Sequence, residues 1–133
     1  LATEGRRDGT MHCLIVEDDA PLALLWQTGL EQAGFETTMA GSIDQATHAL
    51  RFQQFDVVLL DLFLGEEMSF ALTTLIGYTS PKARIVMVTG SGAFPYGEAF
   101  REYPNIAGML HKPVKLNDLI AYLEHLTKPR DPA

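Results

Sequence analysis

The chain predicts an α/β fold, a three-layer sandwich in which a five-stranded parallel sheet of order 2-1-3-4-5 lies between helices. Three observations predict it. Apolar runs of strand length, rich in Val, Ile and Leu, alternate with stretches of helical periodicity. The connections suit right-handed helical crossovers rather than hairpins. Several runs also stop on a reactive polar group, as strands do where a parallel sheet presents its carboxyl ends to a ligand.

After a polar leader over residues 1–10, the first strand is expected from about His12 to Glu17. Pro21 suits the first turn of a helix that runs to about Ala33 and stops at Gly34. A second strand, Phe35 to Met39, precedes Ser42 and Gln45, whose spacing is that of a capping box for a helix through about Phe52. The third strand is Asp56 to Leu60. A helix from about Glu67 to Ile76 follows, with Glu66 and Glu67 as its acidic first turn and Gly77 with Thr79-Ser80-Pro81 as its end. The fourth strand covers Arg84 to Thr89. Gly90, Gly92, Pro95 and Gly97 crowd the next segment, leaving a short helix from Tyr96 to Tyr103. The fifth strand is Ile106 to His111, and the last helix runs from Lys115 or Asn117 to Leu126. Residues 11–127 thus form one domain, and 128–133, with two prolines, read as a tail or linker. On the first helix, Leu22, Leu25, Trp26 and Leu30 fall at helical spacing and are expected in the core.

At 133 residues and 47% hydrophobic content, the chain is long and apolar enough for one proper core. No apolar stretch approaches the roughly 18 residues that cross a bilayer, so no membrane partner is expected. A net charge of −7 with scattered Lys and Arg excludes direct contact with nucleic acid. The single Cys13 permits no internal disulfide and sits in a strand, which reads as a buried thiol in a reducing cytoplasm.

With strands one and three adjacent, the acids Glu17 and Asp18 face Asp61 across the point where the strand order reverses. Carboxylates held so close repel unless one is protonated or a cation joins them. Hard oxygen ligands with room for water suit Mg²⁺, which prefers octahedral coordination at about 2.0–2.1 Å. A bound cation would keep Asp61 ionised and nucleophilic, while Lys112 and the Thr89 hydroxyl balance an incoming phosphoryl group. Phosphoryl transfer onto Asp61 needs mainly this alignment and charge neutralisation.

The runs Leu14-Ile15-Val16-Glu17-Asp18-Asp19, Asp56-Val57-Val58-Leu59-Leu60-Asp61-Leu62, Val88-Thr89-Gly90 and Lys112-Pro113 together resemble the receiver domain of bacterial two-component response regulators. That resemblance implies the flavodoxin-like receiver fold, with Asp61 as phosphoacceptor. It implies Glu17, Asp18, Asp61 and the Phe63 backbone carbonyl as Mg²⁺ ligands, with Asp19 one place outside. It further implies Thr89 as the hydroxyl that follows the phosphoryl group, Lys112 as its ion-pair partner, and a cis Lys112–Pro113 bond. The expected donor is a histidine kinase or a phosphotransfer protein. The domain would be a signalling device that supports its own Mg²⁺-dependent phosphorylation and slow autodephosphorylation, rather than an enzyme. Its changing surface would be the face of the fourth helix, fifth strand and fifth helix, a common dimer or output surface in the family. No helix-turn-helix pattern follows Leu126, so the chain reads as a stand-alone regulator or a receiver cut from a larger protein.

Some positions depart from the family pattern. Met109 stands where an aromatic residue is common, three before the lysine, so the usual inward swing of a ring cannot occur as such. Leu64-Gly65-Glu66-Glu67 and Ser69 replace the usual proline and glycine after the phosphoacceptor. Phe63, bulky at the rim, should shield the aspartyl phosphate from water and make it last on the order of hours.

Alone, each residue has a plainer role: Asp18 or Asp61 as a turn former, Thr89 satisfying a loop amide, Lys112 as a solvated charge. Together they favour chemistry. The four histidines lack metal-ligand spacing and read as surface or structural, and His48 is no phosphodonor. The alternative is a phosphorylation-independent, receiver-like interaction module, which would have no reason to keep Glu17, Asp18, Asp61, Thr89 and Lys112 together. A dehalogenase-type phosphatase expects a second aspartate two residues after the nucleophile, where this chain has Phe63.

Overall fold

The computed structural model describes residues 9–90 and 105–128. Five strands, β1 (His12–Val16), β2 (Glu36–Ala40), β3 (Val57–Asp61), β6 (Arg84–Thr89) and β7 (Ile106–His111), form one sheet of order β2-β1-β3-β6-β7. All neighbouring pairs are parallel. This is the expected topology, with β6 and β7 as the fourth and fifth strands of the sheet. The helices are α1 (Ala20–Gln32), α2 (Ile43–Phe52), α3 (Leu72–Thr79) and α4 (Leu116–Thr127). The short helix expected at 96–103 lies outside the described residues.

Because strand side chains alternate between faces, the same runs feed two cores. Leu14, Val16, Val58, Leu60, Ile85 and Met87 meet α2 and α3 on one face. Cys13, Ile15, Val57, Leu59, Val86 and Val88 meet α1 and α4 on the other. Each such side chain contributes about 1.5–3 kcal/mol by leaving water. Met109 packs, partly buried, on the α2–α3 side. Cys13 is fully buried, and burial pushes its thiol up to about 12, which makes it inert.

Local signals hold at the helix starts. Asp19 Oδ1 accepts from Leu22 N (3.2 Å) at the start of α1. Ser42 Oγ accepts from Gln45 N (3.1 Å), while Gln45 reaches back to Gly41 N (2.7 Å), one residue before the position a capping box uses.

Three expectations are corrected. The helix expected from Glu67 starts at Leu72. Before it lies a hairpin of β4 (Phe63–Leu64) and β5 (Glu67–Met68), so Glu67 is a strand residue and neither it nor Glu66 forms a helical first turn. Gly65, at φ +63°, takes the first turn position of a two-residue hairpin, where a glycine is favoured. Gly77 lies inside α3, which ends at Thr79 with Ser80 as its cap. Leu25 is 51% exposed, because the stripe that faces the sheet is Ala23, Trp26 and Leu30.

Candidate functional site

The site lies where β1, β3, β6 and β7 end. Glu17 follows β1 directly; its N–H continues the sheet to Ala40 O (3.0 Å), and its side chain is buried. Its Oε2 accepts from Asp19 N (3.1 Å). Asp18 is exposed, and its Oδ2 accepts from Gly65 N (2.8 Å) at the tip of the hairpin. Asp61 is the last residue of β3 and is 5% exposed. Its Oδ1 accepts from Phe63 N (3.3 Å) and its Oδ2 from Lys112 Nζ (3.0 Å).

Lys112 follows β7, with its N–H bonded to Thr89 O (2.9 Å) and a cis bond to Pro113 after it. Its ammonium lies 2.7 Å from Glu17 Oε1 and 3.0 Å from Asp61 Oδ2, so it bridges two loops. Thr89 is buried at the end of β6, opposite His111. Ligand oxygens of Glu17, Asp18 and Asp61 all lie within 4.8 Å of one another.

Three carboxyl groups thus gather around one ammonium, and two of them, Glu17 and Asp18, depart from their ordinary values. Burial raises the Glu17 carboxyl to about 7, with Asp61 adding to the rise and Lys112 opposing it. Partial desolvation resists ionisation of Asp18, but the Gly65 N–H bond and nearby groups outweigh it and hold that carboxyl below its usual value. Desolvation of Lys112 is likewise outweighed by Glu17 and Asp61, which raise its ammonium above the usual range.

The donor set suits a hard cation. All the candidate ligands are oxygens, and Glu17 Oε1, though close to Lys112, is buried without an aligned hydrogen bond. The Lys112 ammonium contacts that oxygen at 2.7 Å, so a metal would share or displace this contact. The exposed Asp18 leaves the cluster open on the solvent side.

The structure therefore brings Glu17, Asp18, Asp61 and Lys112 into contact range and puts Thr89 at an adjacent strand end. Phe63, 39% exposed, touches Asp61 through its N–H. Sequence reasoning missed two supports. One is the Gly65 amide on Asp18; the other is Ser69, whose buried hydroxyl bonds the Asp61 carbonyl. A glycine between the apolar pair Phe63-Leu64 and the acids Glu66-Glu67 was the available signal for the first.

A protein-family model, the response regulator receiver domain, matches residues 13–124. The chain belongs to that family.

The alginate biosynthesis transcriptional regulatory protein AlgB of Pseudomonas putida is 31% identical to this receiver domain over 90 residues, covering 68% of the chain and 20% of the relative. AlgB of Pseudomonas aeruginosa is 32% identical over 93 residues, covering 70% and 20%. The chain spans about a fifth of the length of these relatives. A response regulator from Burkholderia pseudomallei, crystallised with a phosphorylated aspartic acid, calcium ion and citrate, matches with a TM-score of 0.78 at 23% identity, over 88% of this chain and 68% of that one. A CheY-like receiver domain from Methanospirillum hungatei gives 0.81 at 21%, over 89% and 94%. At these identities the structural likeness concerns the fold. The receiver is a signalling domain of two-component response regulators, and its Glu17, Asp18 and Asp61 form an acidic pocket fit for a phosphoacceptor aspartate with a metal. No helix among the described residues is long and apolar enough to cross a membrane.

Proposed function

We propose that this receiver, from Met11 to Thr127, accepts a phosphoryl group on Asp61 from a histidine kinase or phosphotransfer protein and changes a partner-binding surface in response. The observation that carries the reading is the junction of three strand ends. There the Asp61 carboxylate meets the Lys112 ammonium at 3.0 Å, with Glu17 and Asp18 oxygens within ligand range. In the transfer, an Asp61 oxygen forms the new bond to phosphorus as the phosphorus–nitrogen bond of the donor histidine breaks, and the electron pair returns to the imidazole.

Glu17, Asp18, Asp61 and the Phe63 carbonyl would hold Mg²⁺, which supplies neutralisation of the phosphoryl oxygens when bound. Lys112 would then exchange its contact with Asp61 for the phosphoryl group, and the Thr89 hydroxyl would bind another of its oxygens. Shifting a domain from about 1:99 to 99:1 takes roughly 5.5 kcal/mol. Two or three charge-assisted hydrogen bonds, at about 1.5–3 kcal/mol each, supply that. The Thr89 and Lys112 ends of β6 and β7 would direct the change toward β7 and α4; with the helix expected at 96–103, which lies outside the described residues, these make up the proposed dimer or output surface.

A cytoplasmic setting and indirect action on DNA belong to the same reading. Cys13 is a buried free thiol, and the net charge of −7 leaves nucleic acid to an attached or separate output partner. Residues 1–10 would serve as a leader or linker, and 128–133 as a tail or linker.

Phe63 gives the test. This bulky, partly exposed residue, two positions after Asp61, should screen the aspartyl phosphate, whose lifetime is expected on the order of hours. Phe63→Asn should speed dephosphorylation roughly tenfold, equivalent to about 1.4 kcal/mol of barrier. The decay of phosphorylated protein, followed by intact mass after removal of the donor, measures it; an unchanged rate would count against shielding by Phe63.

A further inference from the structure

We infer that Ser69 is a positioning residue for the phosphoacceptor, an inference that rests on the proposed role of Asp61. Ser69 is fully buried just after the β4–β5 hairpin. Its hydroxyl donates to the Asp61 carbonyl and lies 3.2 Å from the Leu62 carbonyl. Its amide donates to Leu62 O (2.8 Å), and its own carbonyl accepts from Leu72 N (2.9 Å) at the start of α3. One residue thus ties the two peptide groups that follow the phosphoacceptor to the helix beyond the hairpin.

These peptide groups determine the geometry of the site. The bond from Leu62 N to Val88 O (2.9 Å) carries the sheet one residue past the end of β3. Beyond it, the Leu62 peptide sets where the Phe63 N–H meets Asp61 Oδ1 and where the Phe63 carbonyl lies. A hydroxyl anchoring that turn fixes the Asp61 carboxylate against rotation and holds its neighbours in register. The hairpin gains a second anchor at its tip through Gly65 and Asp18. At its base the Ser69 hydroxyl adds to the bond between the Phe63 N–H and Asp61 Oδ1.

The consequence is a kinetic effect out of proportion to any loss of stability, since a displacement of about 1 Å at a reacting centre can cost roughly a hundredfold in rate. Ser69→Ala should retain its fold by circular dichroism yet take phosphoryl from acetyl phosphate roughly ten- to a hundredfold more slowly at saturating Mg²⁺. Ser80→Ala is the control. Ser80 is also buried, and its Oγ accepts from Phe55 N (3.0 Å) in a different loop. It should lower the melting temperature while leaving the rate of the folded protein unchanged. Should Ser69→Ala not fold, Ser69→Gly, which leaves room for a water in place of the hydroxyl, is read against the same control. If Ser69→Ala, or Ser69→Gly in its stead, matches wild type in rate while wild type is phosphorylated, Ser69 has no positioning role and the reading of Asp61 survives. If wild type itself takes no phosphoryl group, the reading of Asp61 falls, and the role of Ser69 with it.

Discussion

Replacing Lys112 by Met should tighten Mg²⁺ binding about tenfold at pH 8, a gain of about 1.4 kcal/mol, while cutting phosphoryl uptake at Asp61 by roughly a hundredfold or more. The two effects share one origin. The ammonium lies between Glu17 Oε1 and Asp61 Oδ2, at 2.7 and 3.0 Å, and so occupies the electrostatic place that a divalent cation would take. Unit charges near 4 Å interact by about 4 kcal/mol at an effective dielectric near 20, and a flexible lysine recovers part of that by swinging away. Removing it frees the carboxylates for metal but leaves the transferred phosphoryl group without its cation.

Proton linkage sharpens this test. Burial raises the Glu17 carboxyl to about 7, so Mg²⁺ must displace a proton at lower pH. Wild-type affinity should therefore rise with pH, by up to about tenfold per unit below pH 7, and level off above it. Without Lys112, Glu17 holds its proton more tightly, and the gain seen at pH 8 should vanish near pH 5.5. Calorimetric titration at the two values, in buffers of different ionisation heat, measures both affinity and proton release. An Lys112→Met protein that binds Mg²⁺ more weakly at pH 8 would contradict the account.

Gly108→Ala should cost about 1–3 kcal/mol by overpacking and lower the melting temperature by several degrees for each kcal/mol. The pairing of β6 with β7 shifts between Ile85 and Val86, which face Ile106 and Gly108 and leave Ala107 out of register. Tyr122 of α4 donates its hydroxyl to the Ala107 carbonyl (3.2 Å) across this bulge. A methyl on Gly108 would overlap the Tyr122 hydroxyl and lie 3.0 Å from Cζ and 3.3 Å from Cε2. Alanine must therefore expel the ring or open the strand. Gly108→Ala combined with Tyr122→Leu should recover part of the loss, and phosphoryl uptake by the folded fraction should persist. The contrast is Gly29, where a methyl meets only the end of the Leu116 side chain, at 2.8 Å, which can rotate away. Thermal unfolding of the Gly108 variants decides; an unchanged melting temperature would show that Tyr122 moves freely.

The strand runs and their polar termini were legible because buried parallel strands must be continuously apolar, and the site gathers where they stop. The expectation that Glu17, Asp18, Asp61, Thr89 and Lys112 sit where parallel strands end needed no further information, and the structure places them there. The hairpin was not legible in the same way. Leu64-Gly65-Glu66-Glu67-Met68 contains two acids just ahead of an apolar helical run, which favours a helix start, and only the positive φ of Gly65 resolves the competition for a turn. Leu22, Leu24, Leu25 and Trp26 crowd one stretch of α1, and composition alone cannot select which stripe meets the sheet. Gly77 beside a turn cluster imitates a helix end, although the chain turns only at Ser80 and Pro81. The Glu17–Lys112 contact joins residues remote in sequence and follows only once β1 and β7 are placed in one sheet.

Intact mass after incubation with acetyl phosphate and Mg²⁺ tests the central claim most directly. The account predicts the gain of one phosphoryl group by the wild-type chain, lost when the divalent ion is chelated and absent in Asp61→Ala. A wild-type protein that gains no mass, or an Asp61→Ala protein that gains it equally, would contradict the assignment of Asp61 as phosphoacceptor.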